Sequence, residues 1–250
     1  NHITIGGKSF SAPSCWEEFS ERDLKLWVKI LSKDIEPFEA FQLAAAFLYK
    51  IPKRWYFKLN TAQQYDLNET LIFLWAKDSA VEWIIPYFKM RWRKYIGPDS
   101  RLSNITIKEY RSCEIYNTLY QRTKEARYLD MLIATLYRRP GANDSGNDER
   151  EKLTDLKVRK NAAKMNRLSE PLRQAILFNY EACSVYIQSK YPYVFKKSGK
   201  KADNSLPDLE EHIKIVAGGK FGNFKETELT PVYLFLDHLN RYIEESEKSK

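Results

Sequence analysis

Between Tyr87 and Tyr95 the chain interleaves cations with aromatic rings: Tyr87, Lys89, Arg91, Arg93, Lys94 and Tyr95, with Phe88, Met90 and Trp92 between them. Successive side chains of a strand point to opposite faces. A single strand here would therefore set Tyr87, Lys89, Arg91, Arg93 and Tyr95 on one side and Phe88, Met90 and Trp92 on the core side. Such a face suits nucleic acid, because guanidinium and ammonium groups pair with phosphates while bases stack on tyrosine. The same alternation also describes a half-buried strand with a solvated face. A second basic stretch, Lys196-Lys197 with Lys200-Lys201, reads more simply as a soluble loop.

Other chemistries lack their spacing. His2, His212 and His238 lie in separate segments, with no His-x-x-x-His or Glu-x-x-His pattern to bring two ligands to one ion on a helix face. Cys15, Cys113 and Cys183 are far apart and form no Cys-x-x-Cys pair, so reduced and mostly buried thiols are expected. Gly218-Gly-Lys-Phe-Gly222 has too few residues between its glycines for a phosphate loop, and a helix rather than a strand precedes it. It reads as a helix stop in which Gly218 or Gly219 turns left-handed and Phe221 or Phe224 folds back on the helix end. The expectation is a chain with no catalytic residue, no metal and no cofactor.

The elements that would position these residues are mostly helices. Ile3, Thr4 and Ile5 alternate before Gly6-Gly7 and Lys8-Ser-Phe10, the pattern of a small N-terminal β-hairpin. A helix is predicted over 21–33 after Ser20, and another from Pro37 with Phe38, Phe41, Ala44, Ala45 and Leu48 inward. Thr61-x-x-Gln64 resembles a capping box opening a third helix that carries Leu67, Leu71, Leu74 and Trp75. The segment near 83–95 reads as extended. Thr106-x-x-Glu109 opens the next helix, and Leu129, Leu132, Ile133, Leu136 and Tyr137 repeat at helical spacing. Helices follow at about 151–165 and 168–189, and an exposed connection spans 191–207. Two more close the chain, the last with Thr230 as N-cap and Pro231 in its first turn.

Two hundred and fifty residues with 43% hydrophobic content can bury a core, and collagen-like or wholly disordered classes are excluded. The longest apolar run, Leu43–Tyr49, is far too short to span a bilayer, and no basic-then-apolar leader is expected. Forty-one Lys and Arg against 33 Asp and Glu give a net charge of +8, which permits a polyanionic partner without requiring one. The predicted architecture is mainly α: a helical portion over 1–139 with the N-terminal hairpin, and a helical segment over 151–250 packing on it as one unit. Residues 140–150, rich in Gly, Asn, Asp and Ser, form the connecting loop.

Several segments together carry a resemblance. Ile3-Thr-Ile-Gly-Gly, Pro13-x-x-Trp16-Glu-Glu, Leu132-Ile-Ala-Thr-Leu-Tyr-Arg-Arg-Pro140, Asp148-x-Arg150 and Val216-Ala-Gly-Gly-Lys-Phe-Gly-Asn-Phe224 make the chain similar to small, mainly helical proteins. Those proteins are encoded in the virion and tail-gene clusters of tailed phages and prophages of Bacteroidetes. The resemblance implies a non-enzymatic virion structural, connector or tail-assembly protein. Its partners would be other phage structural proteins or further copies of itself, in the virion or the bacterial host cytoplasm. The alternative is a nucleic-acid-binding module that uses Tyr87, Lys89, Arg91, Arg93, Lys94 and Tyr95.

Overall fold

The computed structural model describes residues 1–141, 148–195, 209–219 and 221–248. The middle of the 140–150 loop, the lysine doublets between 196 and 201, and most of the 191–207 connection lie outside the described residues. In chain order the elements are β1 (His2–Ile5), β2 (Lys8–Ser11), α1 (Glu21–Leu31), α2 (Pro37–Leu48), α3 (Lys53–Tyr56), α4 (Thr61–Glu69), β3 (Tyr87–Met90) and β4 (Arg93–Ile96). There follow α5 (Ile107–Thr123), α6 (Ala126–Leu136), α7 (Asp155–Met165), α8 (Glu170–Lys190), α9 (Leu209–Val216), α10 (Phe224–Glu228) and α11 (Val232–Lys248). The chain is mainly α with a small N-terminal hairpin, as the sequence predicts. It divides into two units: Asn1–Ile85 with Ser169–Ala182, and Pro86–Leu168 with Cys183–Lys250. Both flanks of the 140–150 loop belong to the second unit, where Pro140 and Arg150 form a β-bridge.

In the first unit β1 and β2 pair antiparallel, Ile3 opposite Phe10, around Gly6 and Gly7 at φ +54° and +76°. Gly6 is needed twice over, since a Cβ there would also collide with the Trp55 ring. Ser20 and Asp23 form a reciprocal capping box at the start of α1, and Leu24, Trp27 and Val28 supply its buried side. Helix α4 starts one residue earlier than the sequence pattern indicates: Asn60, not Thr61, is the cap, paired with Gln63. Asn is as good an N-cap as Thr, so two candidate frames overlap here. That helix also stops at Glu69. Ile72–Trp75 form a separate 3₁₀ turn, and Leu74 is buried from there. Trp16, Phe19, Phe73 and Phe178 meet at ring-centroid distances of 4.9 to 5.7 Å. Asn179, buried on α8, accepts from Ile84 N–H and donates to the carbonyls of Ala80 and Glu82, at 2.9 Å each.

The second unit is built on α6, which packs on both α5 and α7 and contributes Leu129, Leu132 and Ile133 to the core. The carbonyl of Thr230 accepts from Ile107 N–H at 2.9 Å, and Val232 N–H donates to Ile105 at 2.9 Å. This pairing holds Pro231 outside the helix as the residue whose carbonyl caps α11, one position later than expected. Gly218 adopts φ +90° after α9, and the Phe221 ring lies 6.2 Å from that of Phe235. Gly218 thus stops α9 as the simpler reading expects, while Phe221 packs against Phe235 and His238 of α11.

Candidate functional site

Four buried charged side chains lie at the centre of the second unit. Thr106 caps α5 and places Glu109 in its first turn; Arg138 follows α6; Asp148 and Arg150 lie at the C-terminal end of the 140–150 loop. Arg138 contacts Glu109 at 2.7 Å and Asp148 at 3.0 Å, and donates to the Glu151 carbonyl at 3.0 Å. Arg150, 0% exposed, donates to Asp148 from Nε at 2.8 Å and from Nη2 at 2.9 Å, to the Leu136 carbonyl at 2.9 Å, and to the Asn104 carbonyl at 3.2 Å. Its Nη2 also lies 3.3 Å from Glu109.

The electrostatics follow from this geometry. Burial pushes the Asp148 carboxyl up, but hydrogen bonds and charge from Arg150, with Arg138 behind, outweigh it and hold the group below the ordinary value. At Glu109 burial outweighs the pull of the two guanidiniums, and its carboxyl rises. The neighbouring Cys113 thiol is pushed well up, chiefly by burial, so it is a poor nucleophile. Two cations and two anions close on one another and brace the core of the unit.

The basic, aromatic segment folds differently from a single strand. β3 and β4 form a hairpin around Arg91 and Trp92, with Phe88 opposite Tyr95 and Lys89 opposite Lys94. The turn resets the alternation, so the expected cationic face is divided. Phe88 and Tyr95 are buried together, with rings 5.4 Å apart and nearly parallel, and Phe88 lies 4.8 Å from Tyr137. Tyr95 is therefore core, not an exposed stacking surface. Tyr87, Lys89 and Lys94 occupy the outer face, where the Lys94 ammonium lies 4.7 Å from the Tyr87 ring centre. Trp92, expected on the core side, stands at the tip and is 99% exposed.

The base of the hairpin is tied to the rest of the unit, and its tip is exposed. Ile96 exchanges backbone hydrogen bonds with Arg138 at 2.7 and 3.1 Å, and Gly97 N–H donates to the Pro86 carbonyl at 2.8 Å. Below the tip, Arg91, Trp92, Arg93 and Tyr95 line a depression of about 300 Å³ with Lys164 and Arg167 from the end of α7 and the turn after it. Among the described residues, Lys89, Arg91, Arg93, Lys94 and Arg167 have no ion-pair partner. Burial lowers the Lys164 ammonium below its usual range, and the charges of Arg139, Arg93 and Lys160 lower it further.

No protein-family model, curated protein or solved structure matches the chain.

The site rests on its own geometry. The structure keeps Lys89, Arg91, Arg93, Lys94 and Tyr87 exposed on one hairpin, removes Tyr95, and adds Trp92, Lys164 and Arg167. The bias toward basic residues and rings marked the segment; nothing local in the sequence marked the two cations from α7 and its following turn. His238 packs edge-on against Phe221 at 5.2 Å. Among the described residues no helix is long and apolar enough to cross a membrane.

Proposed function

We propose that this chain is a non-enzymatic assembly protein of a tailed-phage particle, a structural, connector or tail-assembly component that acts through macromolecular contacts. The observation that supports it is where the residues of the resemblance lie. Gly6 and Gly7 turn a hairpin, Trp16 centres the aromatic cluster of the first unit, and Arg138, Asp148 and Arg150 brace the second. These positions maintain an architecture; none prepares a nucleophile or a general base. Exposed apolar side chains such as Phe57 and Ile72, 78% and 67% accessible, supply contact area for other particle proteins or for a second copy.

Co-purification with the tail and neck proteins of the same phage, with mass measured by light scattering, tests this reading. It predicts a complex or a homo-oligomer; a strict monomer that binds none of those proteins contradicts it. Mass spectrometry of purified particles separates a virion component from one left in the host cytoplasm.

A second reading, a nucleic-acid-binding module at the hairpin, is favoured by a specific observation: cations with no ion-pair partner among the described residues, Arg91, Arg93 and Arg167, surround an exposed indole on a turn whose base is anchored. Steeply salt-dependent binding of DNA or RNA supports it, and feeble binding that is flat with salt contradicts it.

A further inference from the structure

Local rules of β-structure are broken twice in the hairpin. Lys89 and Lys94 stand directly opposite each other, where like charges destabilise. Arg91 holds the left-handed conformation at φ +55°, a position that glycine fills without a Cβ penalty and that asparagine tolerates through local hydrogen bonding. Both exceptions project positive charge and present Trp92 outward. Core packing gains nothing from either, since the buried contacts belong to Phe88 and Tyr95. Left-handed non-glycine residues also occur at Lys50, Arg101, Leu102 and Lys124, but here the conformation is joined to an opposed lysine pair and an exposed indole on a well-fixed base, a combination of local costs that a binding site tolerates.

Charge complementarity specifies an anionic partner, and the shape of the tip narrows the class. One face of the ribbon is closed by the packing of Phe88 and Tyr95, so the ribbon is not free on both sides to enter a duplex groove. Only the tip projects. An indole that is 99% exposed gains most from the flat face of a base, and base faces are accessible where bases are not stacked in a duplex. The depression beside it is at the small end of ligand sites, which run from about 300 to 1,000 Å³, and is closer to a nucleotide or two than to the width of a double helix. A lone tryptophan between two arginines also offers little apolar area for entering a lipid surface.

We propose that the hairpin tip and the end of α7 form a clamp for single-stranded nucleic acid, in which Trp92 stacks on a base while Arg91, Arg93, Lys164 and Arg167 hold the adjoining phosphates. The clamp rests on the nucleic-acid reading given above and adds to it the strandedness of the ligand, the stacking residue and the two cations beyond the hairpin. The crowding of Lys164 by Arg93, Arg139 and Lys160 agrees with this, because a bound phosphate relieves repulsion that no carboxylate offsets fully.

Fluorescence anisotropy of the full chain tests it with three probes: a dye-labelled thymidine oligonucleotide of about a dozen residues, a duplex of equal length, and anionic phospholipid vesicles. The single strand is expected to bind at least about tenfold more tightly than the duplex at moderate salt. Trp92→Ala should weaken single-strand binding about tenfold with the salt slope unchanged, and Trp92→Phe should restore most of it. Lys164→Ala with Arg167→Ala should weaken it too, but by reducing the slope by about 0.7 per lost phosphate contact.

Equal affinity for single strand and duplex, with Trp92→Ala neutral, overturns the clamp and leaves the broader nucleic-acid reading standing. Binding to no oligonucleotide overturns both, and so does binding confined to vesicles. Because Trp92 and Arg167 are exposed, unchanged thermal melting of these variants separates lost contact from lost fold.

Discussion

Arg138 and Arg150 lie under the surface of the second unit, each in contact with both Glu109 and Asp148. Arg91 and Arg93 lie at the end of a hairpin fastened to Arg138 by two backbone hydrogen bonds, and they face no carboxylate among the described residues. The first pair has surrendered hydration for fixed partners, so its charge is spent inside the fold. The second pair keeps its water and its charge, so its free energy is released only when an outside anion arrives. Burial and pairing, not residue type, decide which arginine stabilises the protein and which binds.

The largest test of this contrast is Arg150→Met. It leaves two buried carboxylates, Asp148 and Glu109, to share the single guanidinium of Arg138 and should cost about 3–5 kcal/mol in urea denaturation, while the residual folded protein binds oligonucleotide as before. Loss of binding in the folded fraction would break the division of labour. The first unit offers a neutral counterpart. Asn179→Ala leaves the Ala80 and Glu82 carbonyls and the Ile84 N–H without their partner, and a fall of about 1–3 kcal/mol is expected by the same method.

The brace also predicts a pH signature. The folded-state pKa of Asp148 is depressed, so its contribution is present above the unfolded value, about 3.9, and is lost as pH falls through the folded one. Glu109 is raised and acts in the opposite sense: its contribution is present below the unfolded carboxylate value and fades as pH rises through its folded pKa. Stability measured against pH should therefore climb from strong acid and then decline. Asp148→Asn should remove the climb and Glu109→Gln the decline; unchanged profiles would mean that the two carboxylates titrate as they do in the unfolded chain.

At the hairpin the expected signs reverse. Arg91→Gly relieves the left-handed backbone and should raise stability by about 1 kcal/mol while lowering oligonucleotide affinity. A stabilised variant with full affinity would show that the strained arginine contributes nothing to binding. Smallest of all is the stability change for Arg93→Ala, within about 0.5 kcal/mol by thermal melting.

Much of the fold is legible from local chemistry. Gly6-Gly7 announces its turn, Ser20 its cap, and the apolar spacing from Leu129 to Tyr137 its helix, because each signal is complete within a few residues. The second hairpin is not legible, since Arg91-Trp92 is an unlikely turn dipeptide. Read as one strand, the segment has its alternation inverted after the turn, which misplaces Trp92 and Tyr95. The brace is hidden for another reason: Arg138, Asp148 and Arg150 are residue types that favour the surface, and only tertiary pairing makes them interior. Lys164 and Arg167 join the hairpin across more than sixty residues of sequence, a distance over which periodicity carries no information.

The salt dependence of single-strand binding, measured for the native chain and for the Arg91→Ala, Arg93→Ala double variant side by side, tests the central claim most directly. A slope of log affinity against log salt near about −0.7 for each of four phosphates is expected in the native chain, falling by about half in the variant while its melting curve stays put. A native slope near zero, or a variant that keeps the full slope, would contradict the assignment of these arginines to an outside anion.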